Sequence, residues 1–240
     1  MQDHIIINGL KKIYRDGSKN IAAVNGIDLT VPHGEFLAVM GASGSGKTTL
    51  LHLIAGLTTP TEGTVTVDGV RLDALSDRAQ TLFRRKKIGV IFQAFNLIPT
   101  LTAEENILLP LLAGGKGSVR KYKTALDELL KKLDLTNRRT HYPDALSGGE
   151  QQRVAIARAL LPDFTGEAGT SLILADEPTG NLDSVNSESI CKLLRDLCTE
   201  RHHTMIVVTH EDAVAKWADR VIRLKDGQIY SDEKNEGIRA

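Results

Sequence analysis

Residues 41–48 read GASGSGKT, directly after the apolar run EFLAVM and directly before the apolar-striped segment KTTLLHLI. A strand, a glycine-rich turn and a helix in that order commit the chain to an α/β architecture with an anion site at the strand's carboxyl end. The spacing G-x-x-x-x-G-K-[ST] lets the backbone N–H groups of Gly41, Ala42, Ser43, Gly44, Ser45 and Gly46 turn inward, and the helix N-terminus adds positive potential. Lys47 is predicted to reach the β- and γ-phosphates of a nucleotide and Thr48 to ligate Mg2+, with Thr49 completing the binding stretch.

A second feature fits the same crevice. LILADE (172–177) is an apolar strand that ends in two acids, and in an open α/β sheet such an end faces the ligand. Asp176 is expected to hold Mg2+ through water. Glu177 is expected to orient and polarise the attacking water. Gln93 ends IGVIFQ and His210 ends IVVTH; spacing alone distinguishes neither from a polar strand terminus or a hydrogen-bonded structural residue.

The rest of the chain alternates strand and helix patterns. SLILADE, TMIVVTH and RVIRLKDG read as strands, with ESICKLLRDL and EDAVAKWA as helices between them. Such alternation implies right-handed crossovers and a parallel sheet. Before them, HIIING, a turn at Asp16–Gly17, IDLTV and GTVTVDG suggest attached antiparallel strands. ALDELLKKL carries Leu126, Leu129, Leu130 and Leu133 on one stripe, so the middle is expected to be mostly helical. AGGKGS (113–118) reads as a loop, and ILLPLLAGG as an apolar run broken by proline and glycine.

Composition excludes more than it selects. Thirty basic and thirty acidic residues balance over 240 positions, so no global field favours nucleic acid or an anionic membrane. The run RRKK (84–87) is expected to be a solvated helix end. No stretch approaches the roughly 18 apolar residues of a spanning helix, and MQDHIIING lacks the pattern of a signal peptide or anchor. Any membrane role is therefore expected to come through a partner. Cys191 and Cys198 are seven helical steps apart, about 10 Å along the axis, beyond the reach of a disulfide. Reduced thiols in a cytosolic protein are expected.

Residues 146–153, LSGGEQQR, offer a second anion cradle: Ser147 is placed to cap a helix beginning near Glu150, leaving free N–H groups behind two glycines. The order GASGSGKT, Gln93, LSGGEQQR, LILADE, NLD and His210 resembles the ATP-binding-cassette ATPases over nearly the whole chain, and the eight-residue signature is its specific element.

That resemblance implies a P-loop NTPase, with a RecA-like mixed-sheet core, an antiparallel β subdomain and an α-helical signature subdomain. The single domain of 1–240 divides into 1–93 and 164–240 for the first two and 94–163 for the helical part. It implies that two copies associate head to tail, with Ser147, Gly148 and Gly149 donating to the γ-phosphate held at the partner's P-loop. Tyr14 is then the aromatic that stacks on adenine, and Gln93 touches Mg2+ or the attacking water. Asp183 links the two sites across the dimer, and His210 contacts the γ-phosphate and holds Glu177. The cofactors implied are ATP and Mg2+, and all catalytic positions carry the residue expected for hydrolysis.

FQAFNLIPTLTAEENILLPLL (92–112) and LADEPTGNLDS (174–184) further resemble the group serving macrolide exporters, lipoprotein-release complexes, antimicrobial-peptide transporters and the cell-division complex. The implied partner is an integral-membrane permease, with the ATPase on the cytoplasmic face and FNLIPTL near the permease's coupling helix. At least half of the FNLIPTL side chains are expected in the subdomain core. A soluble cassette acting on DNA or ribosomes fits less well, because the inserted coiled coil or zinc module and the second cassette of such proteins are absent. A regulatory module that holds ATP without turnover conflicts with the intact Glu177 and His210. One departure stands out: PDFTGEAGTS (162–171) is several residues longer than the family's turn and is expected to be a solvent loop.

Overall fold

The computed structural model describes residues 3–17, 19–112, 119–166 and 169–235. The AGGKGS stretch lies outside them. The strands are β1 (Asp3–Asp16), β2 (Lys19–Pro32), β3 (Phe36–Met40), β4 (Glu62–Val67), β5 (Val70–Arg71), β6 (Ile88–Ile91), β7 (Leu172–Asp176), β8 (Thr204–Thr209), β9 (Arg220–Lys225) and β10 (Gln228–Lys234). The helices are α1 (Lys47–Ile54), α2 (Asp77–Lys87), α3 (Ala103–Leu112), α4 (Val119–Lys132), α5 (Gly148–Phe164), α6 (Ser184–Arg201) and α7 (Asp212–Ala215).

Two sheets organise these elements. A six-stranded sheet runs β10-β9-β3-β8-β7-β6, and a four-stranded sheet runs β2-β1-β4-β5. The pairs β9–β3, β3–β8, β8–β7 and β7–β6 are parallel, and β10 closes one edge antiparallel to β9. The smaller sheet is antiparallel throughout. The opening strands are longer than HIIING and IDLTV suggest, because the turn at Asp16–Gly17 closes a hairpin of two 14-residue strands. β2 alternates buried and exposed residues along its second half, the mark of a strand with one face on a core.

β3 and β8 are buried at every position, as parallel strands covered on both faces should be. Alternate residues point into two separate cores. Phe36, Ala38, Met40, Ile173, Ala175, Met205 and Val207 face the helical side with α4, α5 and α6. Leu37, Val39, Leu172, Leu174, Ile206 and Val208 face α1 and the smaller sheet. The sheet is thus a partition whose period-2 register decides which core each side chain enters.

Two helices run further than the breakers in their sequence suggest. α3 contains Pro110 and α5 contains Pro162. A proline removes one i→i−4 bond, and near a helix end tertiary contacts can offset it. Leu111 and Leu112 pack on the helical-side core. Past Pro162, Asp163 meets Arg201 at 2.9 Å and His203 at 3.4 Å, and the Arg201 guanidinium lies 3.7 Å from the centre of the Phe164 ring. The expectation of a solvent loop from 162 is therefore corrected: residues 162–164 belong to α5, and a turn at Thr165–Gly166 follows them. Cys191 and Cys198 are buried free thiols, and burial pushes both up to about 12.

Candidate functional site

The parallel strands β3, β7 and β8 end side by side, and each end delivers one part of the site. After Met40 the chain turns through residues 41–46 and enters α1 at Lys47. Gly46 caps that helix at φ 104°, and a Cβ there would run into the carbonyl oxygen of Ala23 on β2, so no other residue fits. Lys47 is only 6% exposed, and its Nζ donates to the carbonyls of Gly41 at 2.8 Å and Ala42 at 2.9 Å. A buried ammonium held by its own loop's carbonyls can turn toward an anion seated on the loop.

Thr48 Oγ1 donates to Asp176 Oδ1 at 3.2 Å, which joins the start of α1 to the end of β7. Burial raises the Asp176 carboxyl above the usual carboxylate range, with the Thr48 hydrogen bond opposing. A hydroxyl beside a partly desolvated carboxylate is an oxygen donor set suited to a hard divalent cation such as Mg2+.

Glu177 follows at φ 42°, outside the region a non-glycine residue prefers. That backbone turn carries its carboxylate across the strand ends. Oε1 lies 3.0 Å from His210 Nδ1, and Oε2 accepts from Gln93 Nε2 at 3.0 Å. An ionised carboxylate only accepts, so Nδ1 of His210 carries the proton in this contact. Glu177 is held on both oxygens by side chains from β6 and β8 ends, while His210 remains mostly exposed. Asn181 Nδ2 donates to the Gln93 carbonyl at 2.8 Å and fixes the backbone from which that amide projects.

The LSGGEQQR stretch folds as predicted for a capped helix. Ser147 Oγ accepts from Glu150 N at 3.3 Å, and Glu150 Oε2 accepts from Ser147 N at 2.8 Å, a reciprocal capping box. Arg138 Nε lies 2.6 Å from the other Glu150 oxygen and, with the Ser147 amide, holds that carboxyl below its usual range. Gly148 and Gly149 occupy the first turn, where N–H groups have no intrahelical acceptor. A Cβ on Gly149 would lie 2.9 Å from Asn186 Oδ1. Asn186 is held by Asp183, which caps α6 with Oδ1 to Asn186 N at 2.9 Å. The signature turn and Asp183 are thus neighbours within one chain.

Tyr14 is 43% exposed on β1 opposite Ile21 of β2, with Lys12 Nζ 5.3 Å from its ring centre. The same hairpin brings Ala23 against Gly46. In FNLIPTL no side chain is fully buried: Leu97 packs partly on the core, and Ile98 is 41% exposed. That corrects the expectation that at least half of the stretch is core. The segment has no regular structure and is pinned from outside by Asn106, which bonds Ile98 through both amide atoms and also the Leu101 and Thr102 carbonyls.

Sequence reasoning missed Asn106, Asn181, Asn186, Arg138 and Arg158. Arg158 on α5 donates to the carbonyls of Phe95 at 2.6 Å and Asn96 at 2.5 Å. The only signal it offered was a cation on the apolar stripe VAIARALL.

The family model described as ABC transporter matches residues 24–180. Over 98% of both chains, this protein is 46% identical to an uncharacterized ABC transporter ATP-binding protein of Methanocaldococcus jannaschii, MJ0796. It is 41% identical, over 99% of both chains, to the lipoprotein-releasing system ATP-binding protein LolD 1 of Caulobacter vibrioides. Against the macrolide export ATP-binding/permease protein MacB of Brucella melitensis it is 43% identical, covering 98% of this chain and 35% of that protein. The dimeric post-hydrolysis structure of MJ0796 bound to ADP and Pi superposes with a TM-score of 0.88 at 43% identity, covering 98% of this chain and 100% of that one. No helix among the described residues is long and apolar enough to cross a membrane. A matched family model, full-length relatives and a shared fold agree with the geometry of three strand ends around one cradle: the chain belongs to the ABC transporter family, as an ATP-binding cassette.

Proposed function

We propose that this chain is the ATP-hydrolysing subunit of a membrane transporter, acting from the cytoplasmic face as a nucleotide-closed pair of copies. The observation that carries the reading is Glu177 clasped by Gln93 and His210 beside the Thr48–Asp176 contact.

ATP is bound with its phosphates on the N–H groups of residues 41–46, and Lys47 turns from Gly41 O and Ala42 O to the phosphate oxygens. Tyr14 and its hairpin offer a face for the adenine ring. Thr48 and Asp176, with Gln93, are the residues that would hold Mg2+, which supplies neutralisation of developing phosphate charge. Glu177 takes the proton of the attacking water on a carboxylate oxygen. His210 keeps that carboxylate in place through Nδ1–H and, with its other ring nitrogen also protonated, donates to a γ-phosphate oxygen. Ser147, Gly148 and Gly149 of the second copy complete the γ-phosphate site with their exposed N–H groups, and Asp183 connects the two sites.

The ATP-dependent closing of two copies then moves a partner permease. The dimeric ADP- and Pi-bound MJ0796 supports the paired arrangement, and the fusion of MacB to a permease supports the partner. The exposed Ile98 in a stretch anchored at both ends suits contact with that permease. Division into 1–93 plus 164–240 and a helical part at 94–163 lets Gln93 sit at the junction between them.

Glu177→Gln tests the reading. It should bind ATP, lose roughly 10²- to 10⁴-fold in turnover, and accumulate as a nucleotide-bound dimer in light scattering. A variant that stays monomeric at saturating ATP would count against the paired mechanism.

A further inference from the structure

At the far rim of the core sheet a second cluster of ligating groups converges, away from the strand ends that carry the nucleotide site. His4 opens β1 and is 1% exposed. His33 follows β2, and Asp68 sits on the turn between β4 and β5 at φ 51°. Asp68 Oδ1 lies 3.4 Å from His4 Nε2 and 3.5 Å from His33 Nε2. One ligating atom from each of the three residues falls within 4.8 Å of the other two.

The two separations from Asp68 Oδ1 are close to those of a coordination shell. Ligand atoms about 2.0–2.1 Å from a tetrahedral ion are about 3.3–3.4 Å apart. The surroundings also fix a ligand-ready imidazole. His4 Nδ1 lies 2.6 Å from Thr204 Oγ1, which already accepts from Gly34 N at 2.9 Å and reaches Pro32 O at 3.5 Å. A proton on Nδ1 with the Thr204 hydroxyl passing on to Pro32 satisfies that chain and leaves the Nε2 lone pair on the Asp68 side. Ser171 Oγ, 3.1 Å from His4 Nε2, donates to Asp68 Oδ2 at 3.1 Å, and Lys87 Nζ lies 3.0 Å from the same oxygen. Asp68 Oδ1 is left to the two imidazoles.

We propose that His4 Nε2, His33 Nε2 and Asp68 Oδ1 form a binding site for a divalent transition cation of the zinc class, with water as the fourth ligand on the open His33 side. Two imidazoles and a carboxylate are the donor set such ions prefer. The His4 and His33 rings are stacked at 4.0 Å and 10°, so their in-plane lone pairs do not meet at one point. Thr204 holds His4, whereas His33 is 43% exposed, so coordination turns the His33 ring. Ser171 and Thr204 stand at the feet of β7 and β8, whose other ends carry Asp176 and His210. Five or six residues of strand, roughly 16–20 Å, separate the two sites. The ion is therefore structural, stapling the smaller sheet to the base of the core.

The test uses nucleotide-free protein and Co2+ as probe. Tetrahedral Co2+ should give visible d–d absorption at one ion per chain, displaced by Zn2+. His33→Gln, an exposed change, should weaken binding at least roughly tenfold. Lys87→Gln should tighten it, because a like charge leaves the neighbourhood of Asp68. Absent d–d absorption, equal affinity in His33→Gln, or weaker affinity in Lys87→Gln would each overturn the proposal. In those outcomes the cluster is an ion-pair clasp and nothing more.

Discussion

Arg158→Met isolates a link between the signature helix and the residue that holds the candidate base. Two successive non-glycine residues, Phe95 at φ 57° and Asn96 at φ 50°, form the turn just after Gln93. Left-handed backbone of that kind costs about 1–2 kcal/mol per residue and persists only when its surroundings over-determine it. Arg158 does so with two donors, one on each residue's carbonyl. Its guanidinium is half-buried, and burial pulls its pKa down, yet arginine stays charged. Hydrogen bonds from a charged donor contribute about 1.5–3 kcal/mol each. Asn96 is exposed, so water can replace one of the two, and the expected loss of stability is about 2–3 kcal/mol. With the turn released, the Gln93 amide no longer meets Glu177 Oε2 reliably, and turnover should fall roughly tenfold with ATP affinity kept. Urea denaturation, steady-state phosphate release and nucleotide titration measure the three quantities. Arg158→Lys, which keeps charge but loses the two-pronged fork, should fall between. If Arg158→Met unfolds within 0.5 kcal/mol of wild type and turns over ATP at full rate, the turn holds itself and the coupling argument is wrong.

Two more outcomes follow from the same contacts. Glu150 has its pKa lowered, so its contribution is fully present above an unfolded-state value of about 4.3 and disappears as pH falls through the lower folded value; wild type should exceed Glu150→Gln by about 1 kcal/mol at pH 7, and a gap that stays constant down to pH 3 in chemical denaturation would contradict this. Gly46→Ala should destabilise by about 1–3 kcal/mol and abolish ATP retention, since a Cβ collides with Ala23 O; unchanged thermal unfolding and nucleotide affinity would show that β2 yields.

Local order made the strand ends and turns around the candidate site readable. GASGSGKT, LILADE and IVVTH each carry strand, turn and functional residue within a few positions, so their placement needs only the rule that parallel strands end together. The capping box at Ser147 and Glu150 is equally local, three residues apart. The breakers misled for the opposite reason. Pro110 and Pro162 lower helix propensity by a local count, but the residues after them are held by Leu111 and Leu112 on the core and by Arg201 from another helix. Tertiary contacts of that kind leave no periodic trace in the segment they rescue.

The supports of the site were unreadable because their partners are remote. Arg158 reaches Asn96 across 62 positions, and Asn181 reaches Gln93 across 88. His4 meets Thr204 across 200. No spacing rule connects such residues, since only the register of the sheet brings them together. The pattern has a physical basis. A group that touches phosphate must sit at a strand or helix end, where backbone geometry is stereotyped and the residue type is dictated by chemistry. A group that holds another side chain in place can come from any element the fold happens to bring near, and several residue types would serve. Candidate reactive positions are therefore legible in one dimension, while the side chains that hold Glu177, Gln93 and Ser147 in their observed geometry become visible only when the sheet is assembled.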